Sequence, residues 1–297
     1  MIAMGVDVGS VSGKAVLMTE GNIVAWQVLP TGPDSRRTAL DVANAVLQRS
    51  GAGIDDVAVI VGTGYGRSVI PFADKEISEI TCHARGCHYF NPAVRTILDM
   101  GGQDCKAMSC DQSGKVLKFV MNDKCAAGVG RSMGIMADLF DIDLCELSSL
   151  ALAASHDPFE LNSTCAVFSR SEAIAAIRNG ISRERVLAGA CKALASRVQR
   201  LVARVGVKDA FMISGGIAKN VAVVANINSA LGVDAHICHE PQIVGAVGAA
   251  LFAQALARSS DDALGRDRRT DSTLMAQLYQ APAPQRKADG CRISGDI

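Results

Sequence analysis

Hydrophobic and polar positions in the first sixty residues predict several strands and one helix. Continuous apolar runs separated by glycine, serine or asparagine are typical of buried strands joined by turns. Gly21-Asn22 predicts a tight hairpin turn between two of these runs. The predicted strands cover residues 2–8, 15–18, 23–29 and 57–62, and the predicted helix covers 37–49.

The same order of elements recurs further along the chain. The predicted strands there cover residues 96–100, 107–110, 116–121 and 210–214, and the predicted helices cover 130–140, 169–179, 182–205 and 245–258. Because both halves begin with a strand, a glycine turn and a returning strand, the sequence predicts two similar α/β lobes with a cleft between them. The first lobe is predicted at 1–93 and the second at 94–258, with the last helix packing back on the first lobe.

Composition narrows the possible partners and the compartment. The 297 residues carry 30 basic and 30 acidic side chains, so nothing favours nucleic acid or an anionic membrane. No secretory signal and no apolar stretch of about 20 residues appears, which favours a soluble cytoplasmic protein. Residues 259–297 are rich in charge and proline and are predicted to form a largely disordered tail.

Two glycine turns carry the first candidate chemistry. DVGSVSGK begins at Asp7 and DMGGQDCK at Asp99, and each follows an apolar strand. Glycine lets backbone N–H groups approach phosphate oxygens, and two facing carboxylates could hold Mg²⁺ through water. A third strand ends in Gly215-Gly216, where adenine could lie on bare backbone or where the turn needs glycine for its shape. The predicted nucleotide-binding residues are Asp7, Gly9, Ser10, Lys14, Asp99, Gly101, Gly102, Gly215 and Gly216.

Two residues of the second turn are candidates for the hydrolytic step. Gln103 could orient an attacking water beside a γ-phosphate. Asp104 could act as a general base or only support the loop. The sequence contains neither a Walker A motif nor a GxGxxG after the first strand, so those nucleotide folds do not apply.

Cysteine is the second unusual feature. The chain has 10 cysteines but no CxxC pair, which argues against a zinc ribbon or a single-chain ferredoxin site. Cys125 and Cys165 each precede a predicted helix, where the helix dipole and free N–H groups stabilise a thiolate or a cluster sulfur. Two ligands do not complete a four-cysteine site, but a two-fold partner with its own pair would.

The two glycine turns, the Gly215-Gly216 turn and the predicted helix at 245–258, in this order, resemble the actin, sugar-kinase and heat-shock ATPase superfamily. NDKCAAGVGR and NSTCAVFSRSE, with TGYGR and ISEITCHARG upstream, are similar to one branch of it, the BadF/BadG/BcrA/BcrD ATPases. That branch contains the ATP-dependent activators of 2-hydroxyacyl-CoA dehydratases and the ATP-binding subunits of benzoyl-CoA reductases. The resemblance implies two ribonuclease-H-like lobes, the actin-like ATPase fold, that bind ATP and Mg²⁺.

The resemblance also implies a cofactor and partners. A single 4Fe–4S cluster would be shared by two subunits, with Cys125 and Cys165 as the ligands from this chain. ATP hydrolysis would then drive low-potential electron transfer to an acyl-CoA dehydratase or reductase component, with reduced ferredoxin or flavodoxin as the electron donor. The dimer could form with a second copy or with a homologous subunit, and HARGCHYFNP leans slightly towards the reductase subunits.

Two other functions remain open at this point. A small-molecule kinase of the sugar-kinase type is the alternative, although such an enzyme needs no cysteine pair at two helix starts. A non-catalytic, actin-like assembly protein is the third hypothesis.

Overall fold

The structure is a computed structural model that describes residues 1–122, 129–161, 166–208 and 210–259. The described chain divides into two compact units. Residues 1–90 together with 242–259 form the first unit, and the described part of 91–241 forms the second. Among the described helices, none is long and apolar enough to cross a membrane.

The first unit is built on a five-stranded sheet with the order β3-β2-β1-β4-β5. β1 pairs with β2 and β2 with β3 in antiparallel fashion, whereas β4 lies parallel to β1 and β5 parallel to β4. The β2–β3 hairpin turns at Glu20 and Gly21, which both have positive φ, as a tight two-residue turn requires. The strands are β1 (Ile2–Val8), β2 (Ser12–Thr19), β3 (Asn22–Pro30), β4 (Val57–Thr63) and β5 (Lys75–Glu76).

Helices cover both faces of this sheet because both faces of its strands are apolar. On β1, Met4 and Val6 pack in one cluster with α1, while Ala3 packs in another with α8. Asp34 caps α1 by accepting hydrogen bonds from two backbone N–H groups of its first turn. The helices of the unit are α1 (Ser35–Ser50), α2 (Glu79–Phe90) and α8 (Val244–Ser259).

The second unit repeats the central strand order of the first. Its four-stranded sheet has the order β8-β7-β6-β9, with β6 antiparallel to β7, β7 antiparallel to β8, and β9 parallel to β6. These four strands therefore pair like β3, β2, β1 and β4, which confirms the internal repeat predicted from the sequence. They are β6 (Thr96–Met100), β7 (Cys105–Cys110), β8 (Val116–Met121) and β9 (Phe211–Ser214).

One long helix forms the centre of the second unit's core. Leu187 and Leu194 of α6 are fully buried in the cluster that includes Leu98 and Ile213 of the sheet. The helices of the unit are α3 (Val129–Phe140), α4 (Leu144–Ala153), α5 (Ala166–Arg178), α6 (Arg183–Ala203) and α7 (Val221–Leu231).

Three helices and one short strand were not in the predicted series. α2, α4 and α7 form where the sequence analysis assigned no element, and β5 is only two residues long. The reason is clearest in α7, whose VAVVANINSAL sequence is rich in β-branched residues that disfavour helix. Its helical form is supported by the Asn220 N-cap, the left-handed Gly232 C-cap and burial of Val223 and Ile227.

Candidate functional site

The first glycine turn joins β1 to β2 and places a lysine opposite an aspartate. Asp7 and Lys14 are cross-strand partners, and the Lys14 Nζ lies 3.3 Å from the Asp7 Oδ2. The turn closes through a hydrogen bond of 3.0 Å from the Gly9 N–H to the Ser12 carbonyl. Asp7 is only 2% exposed, so its charge depends on this pairing and on any ligand that reaches it.

The second glycine turn, between β6 and β7, has the same construction. Asp99 and Lys106 are cross-strand partners, and the Gly101 N–H donates to the Asp104 carbonyl at 3.0 Å. The Lys106 Nζ lies 3.8 Å from the Asp99 Oδ2 and 2.7 Å from the Asp104 Oδ1. The second turn thus contains a carboxylate at the position where the first turn has Ser12.

A parallel strand ends beside each aspartate, in a glycine with positive φ. Gly64 follows β4 with φ 88°, and a Cβ there would collide with the Asp7 Oδ1. Gly215 follows β9 with φ 87°, and a Cβ there would collide with the Met100 carbonyl and lie 2.8 Å from the Asp99 Oδ1. Gly64 was not among the site residues predicted from the sequence. The signal for it was available, because TGYG follows its strand as SGGI follows β9.

The structure therefore brings the predicted residues together in two groups. Asp7, Gly9 and Lys14 meet in the first unit, where a Cβ on Gly9 would lie 3.1 Å from the Lys14 Nζ. In the second unit the Ser214 hydroxyl donates to the Asp99 Oδ1 at 3.2 Å, directly beside Gly215. The other predicted residues lie nearby in these turns: Gly101 and Gly102 are half-buried and Asp104 is buried, whereas Ser10, Gln103 and Gly216 are exposed.

In the Gly215-Gly216 pair, the backbone conformation explains why the first residue is glycine. Gly215 is buried, has positive φ, and donates its N–H to the Pro241 carbonyl at 2.9 Å. That geometry alone requires glycine at this position. Contact with adenine at Gly215 or Gly216 stays a prediction.

Two buried carboxylate oxygens in these turns have no hydrogen-bond partner among the described residues. They are the Asp7 Oδ1 and the Asp104 Oδ2. A buried polar atom left without a partner costs free energy, on the order of 1–3 kcal/mol. A hydrated Mg²⁺ would satisfy the Asp7 oxygen, since this ion prefers carboxylates and retains several of its waters, and a polar ligand would satisfy the Asp104 oxygen. The two turns therefore fit the predicted Mg²⁺-nucleotide chemistry.

Both predicted cluster ligands, Cys125 and Cys165, lie outside the described residues. The helices that follow them are described: α3 begins at Val129 and α5 at Ala166.

The first turn of α3 is bonded directly to the second glycine turn. The Gly130 N–H donates to the Gly101 carbonyl at 3.2 Å, and the Arg131 N–H donates to the Gly102 carbonyl at 2.9 Å. A Cβ on Gly130 would lie 2.8 Å from the Gly101 carbonyl oxygen. Cys125 thus precedes by four residues in the sequence a helix that is attached to the predicted phosphate turn.

Six other cysteines are buried, as cysteines that fill a protein core usually are. Burial raises the pKa of the Cys82, Cys191 and Cys238 thiols to about 12. A thiol with such a pKa is protonated at neutral pH and is a poor nucleophile or metal ligand. The six are Cys82, Cys87, Cys105, Cys110, Cys191 and Cys238.

Comparison with known proteins places the chain among close relatives. It is 43% identical over 256 residues to the activator of lactoyl-CoA dehydratase from Anaerotignum propionicum. The matched region covers 85% of this chain and 97% of that protein. The structure of the activator of the 2-hydroxyisocaproyl-CoA dehydratase from Clostridium difficile, solved with bound ADPNP, superimposes with a TM-score of 0.84. That structure is 38% identical in sequence and covers 88% of this chain and 97% of its own.

A reductase component is a more distant relative. One of the subunits of benzoyl-CoA reductase from Thauera aromatica is 30% identical, over 84% of this chain and 92% of that protein. The model of the BadF/BadG/BcrA/BcrD ATPase family matches residues 4–253. The two sheets, the repeated strand order and the superposition confirm the predicted actin-like ATPase fold. With most of its length matched by the family model, the chain belongs to the BadF/BadG/BcrA/BcrD ATPase family.

Proposed function

We propose that this protein hydrolyses ATP to drive electron transfer from a 4Fe–4S cluster to an acyl-CoA enzyme. In this proposal two chains share the cluster, and each contributes Cys125 and Cys165. A bound cluster of this type supplies a one-electron carrier of low potential. The glycine turns at Asp7 and Asp99 bind the phosphates of ATP and its Mg²⁺.

The attachment of α3 to the second glycine turn is the observation that carries the proposal. A phosphate that binds Gly101 and Gly102 acts on a turn whose carbonyls accept hydrogen bonds from Gly130 and Arg131. Because α3 starts four residues after Cys125 in the sequence, we propose that a displacement of the turn changes the position of this ligand. The potential of an iron–sulfur cluster depends on hydrogen bonds to its sulfurs and on its exposure to solvent. Nucleotide-dependent displacement of α3 therefore provides a physical route from ATP to the potential.

Among the possible acceptors, we propose a 2-hydroxyacyl-CoA dehydratase. The two relatives with the higher identities, at 43% and 38%, are named dehydratase activators, whereas the reductase component is 30% identical. This order of sequence identities favours a dehydratase activator over a reductase component, although segment 83–92 resembles the reductase subunits slightly more.

Activation of a dehydratase component tests the proposal. The anaerobically purified protein, with ATP, Mg²⁺ and a strong reductant, is added to the catalytic component of lactoyl-CoA dehydratase, and the dehydration of lactoyl-CoA is followed. We expect activation by the wild-type protein and none by Cys125→Ala, which should still hydrolyse ATP. Cys191→Ala, which changes a buried core cysteine, serves as the matched control and should activate normally.

A different outcome would favour the sugar-type kinase. A colourless wild-type protein that releases ADP only when a sugar is added would contradict electron transfer. In that case the Cys125→Ala variant should release ADP as fast as the wild type. That enzyme would use the same glycine turns without the cysteine pair.

A further inference from the structure

Lys106 is a buried lysine shared by two carboxylates. It is 3% exposed, and its Nζ lies 2.7 Å from the Asp104 Oδ1 and 3.8 Å from the Asp99 Oδ2. A charge at this depth is tolerated only with close partners. The shorter contact, to Asp104, is also a hydrogen bond.

The first unit shows that the glycine turn can form without this second contact. Lys14 is the equivalent lysine and pairs with Asp7 at 3.3 Å, but Ser12 occupies the position of Asp104. Both turns still close with the same hydrogen bond of 3.0 Å. The contact between Lys106 and Asp104 is therefore not needed to close the turn, which indicates another role for it.

The second carboxylate oxygen of Asp104 indicates what this role is. Lys106 occupies the Oδ1, while the Oδ2 is buried and has no hydrogen-bond partner among the residues that the structure describes. A carboxylate with one oxygen fixed and the other unsatisfied is prepared to accept a proton or a hydrogen bond from a ligand. The adjacent Gln103 is exposed, so a ligand can reach this turn from solvent.

We propose that Lys106 is a positioning residue for ATP hydrolysis, which holds Asp104 so that its Oδ2 accepts the proton of the attacking water. This inference rests on the proposed function and assigns the water-activating group within it. The water oxygen forms a bond to the γ-phosphorus, and the bond from that phosphorus to the bridging oxygen breaks. Its electron pair leaves with ADP, and the proton passes through Asp104 to solvent or to the released phosphate. Lys106 acts through Asp104 and does not touch the phosphate.

Steady-state ATP hydrolysis by a set of variants tests this inference. For Lys106→Met we expect kcat to fall at least about 100-fold, the usual contribution of a general base, with the KM for ATP within about threefold of wild type. Asp104→Asn should lose a similar factor. The double variant Lys106→Met/Asp104→Asn should lose no more than Asp104→Asn alone, because residues that act as a unit are not additive.

Two further variants distinguish the loss of Asp104 positioning from a general loss of folding. Lys106→Arg keeps the buried positive charge and should retain at least about a tenth of wild-type kcat. Lys115→Met changes an exposed lysine in the turn before β8 and should behave as wild type. If Lys106→Met alone does not fold, the double variant, which also removes the Asp104 charge, is compared with Asp104→Asn and carries the same test.

Three results would overturn the inference. The first is a folded Lys106→Met protein whose kcat is within about threefold of wild type. The second is a raised KM with unchanged kcat, which would make Lys106 a phosphate ligand. The third is a double variant whose losses multiply. In all three cases wild-type ATP hydrolysis and electron transfer persist, so the proposed function stands; a wild-type protein that hydrolyses no ATP overturns both.

Discussion

At the scale of single residues, the two glycine turns share an aspartate, a lysine and a close glycine but differ in one side chain. Asp7 and Asp99 each pair with a lysine across the strands, and Gly64 and Gly215 each pack against the aspartate. Asp104 has no carboxylate counterpart in the first turn. We therefore propose that both turns bind phosphate and metal and that only the second takes part in proton transfer.

The close approach of Gly64 to Asp7 leads to a prediction on stability. Gly64→Ala places a methyl group against the Asp7 Oδ1 at a positive φ, whereas Gly51→Ala, also in the first unit, has a positive φ with no atom within 4 Å of the new Cβ. Left-handed strain alone costs about 1–2 kcal/mol, and we expect Gly64→Ala to cost at least ~2 kcal/mol more than Gly51→Ala. Denaturant unfolding of both variants measures the difference, and equal losses would contradict the described contact.

The buried cysteines lead to a prediction on alkaline stability. Burial raises the pKa of Cys191 to about 12, well above that of an exposed thiol. The folded state therefore keeps a proton that the unfolded chain loses, so stability is full below about pH 8.5 and falls as the pH rises towards 12. We expect Cys191→Ala to reduce the slope of unfolding free energy against pH by about 1.4 kcal/mol per unit between about pH 9.5 and 10.5. Parallel slopes for wild type and variant would contradict the burial of this thiol.

At the scale of secondary structure, α3 is bonded to the predicted phosphate turn and begins four residues after the predicted cluster ligand Cys125. Its first turn donates to the carbonyls of Gly101 and Gly102, and it approaches them so closely that Gly130 has no room for a side chain. We therefore expect the helix to move with the turn. The contact of Gly130 with this turn was not predicted from the sequence, because a contact with residues some thirty positions earlier leaves no local pattern.

A change at Gly130 should separate hydrolysis from electron transfer. In Gly130→Ala the new methyl group would displace α3 from the Gly101 carbonyl, so we expect ATP hydrolysis to continue while ATP no longer shifts the cluster potential. Redox titration with and without ATP, followed by EPR, measures this shift.

Gly134→Ala provides the matched control in the same helix. No atom lies within 4 Å of its new Cβ, and alanine in a helix interior is favoured by roughly 0.5–1 kcal/mol. This variant should keep the ATP-dependent shift. If Gly130→Ala kept it as well, α3 would not be the connection.

At the scale of the whole molecule, one arrangement of four strands occurs twice, and the chain returns to the first unit for its last described helix. The sequence predicted the repeat because Asp, glycine and lysine recur at identical spacing, DVGSVSGK and DMGGQDCK. It did not predict α4 or α7, because these helices depend on packing against α6 rather than on local propensity. The contact between Lys106 and Asp104 became visible only in three dimensions, whereas the signal for Gly64 was present in the TGYG sequence.

The iron content of the protein tests the central claim most directly. Protein purified without oxygen should contain about two iron atoms and two sulfides per chain, half of a 4Fe–4S cluster shared by two chains. Cys125→Ala and Cys165→Ala should each lose this iron, while Cys110→Ala, a buried cysteine of β7, should keep it. Wild-type protein without iron, or cysteine variants with undiminished iron, would contradict the account.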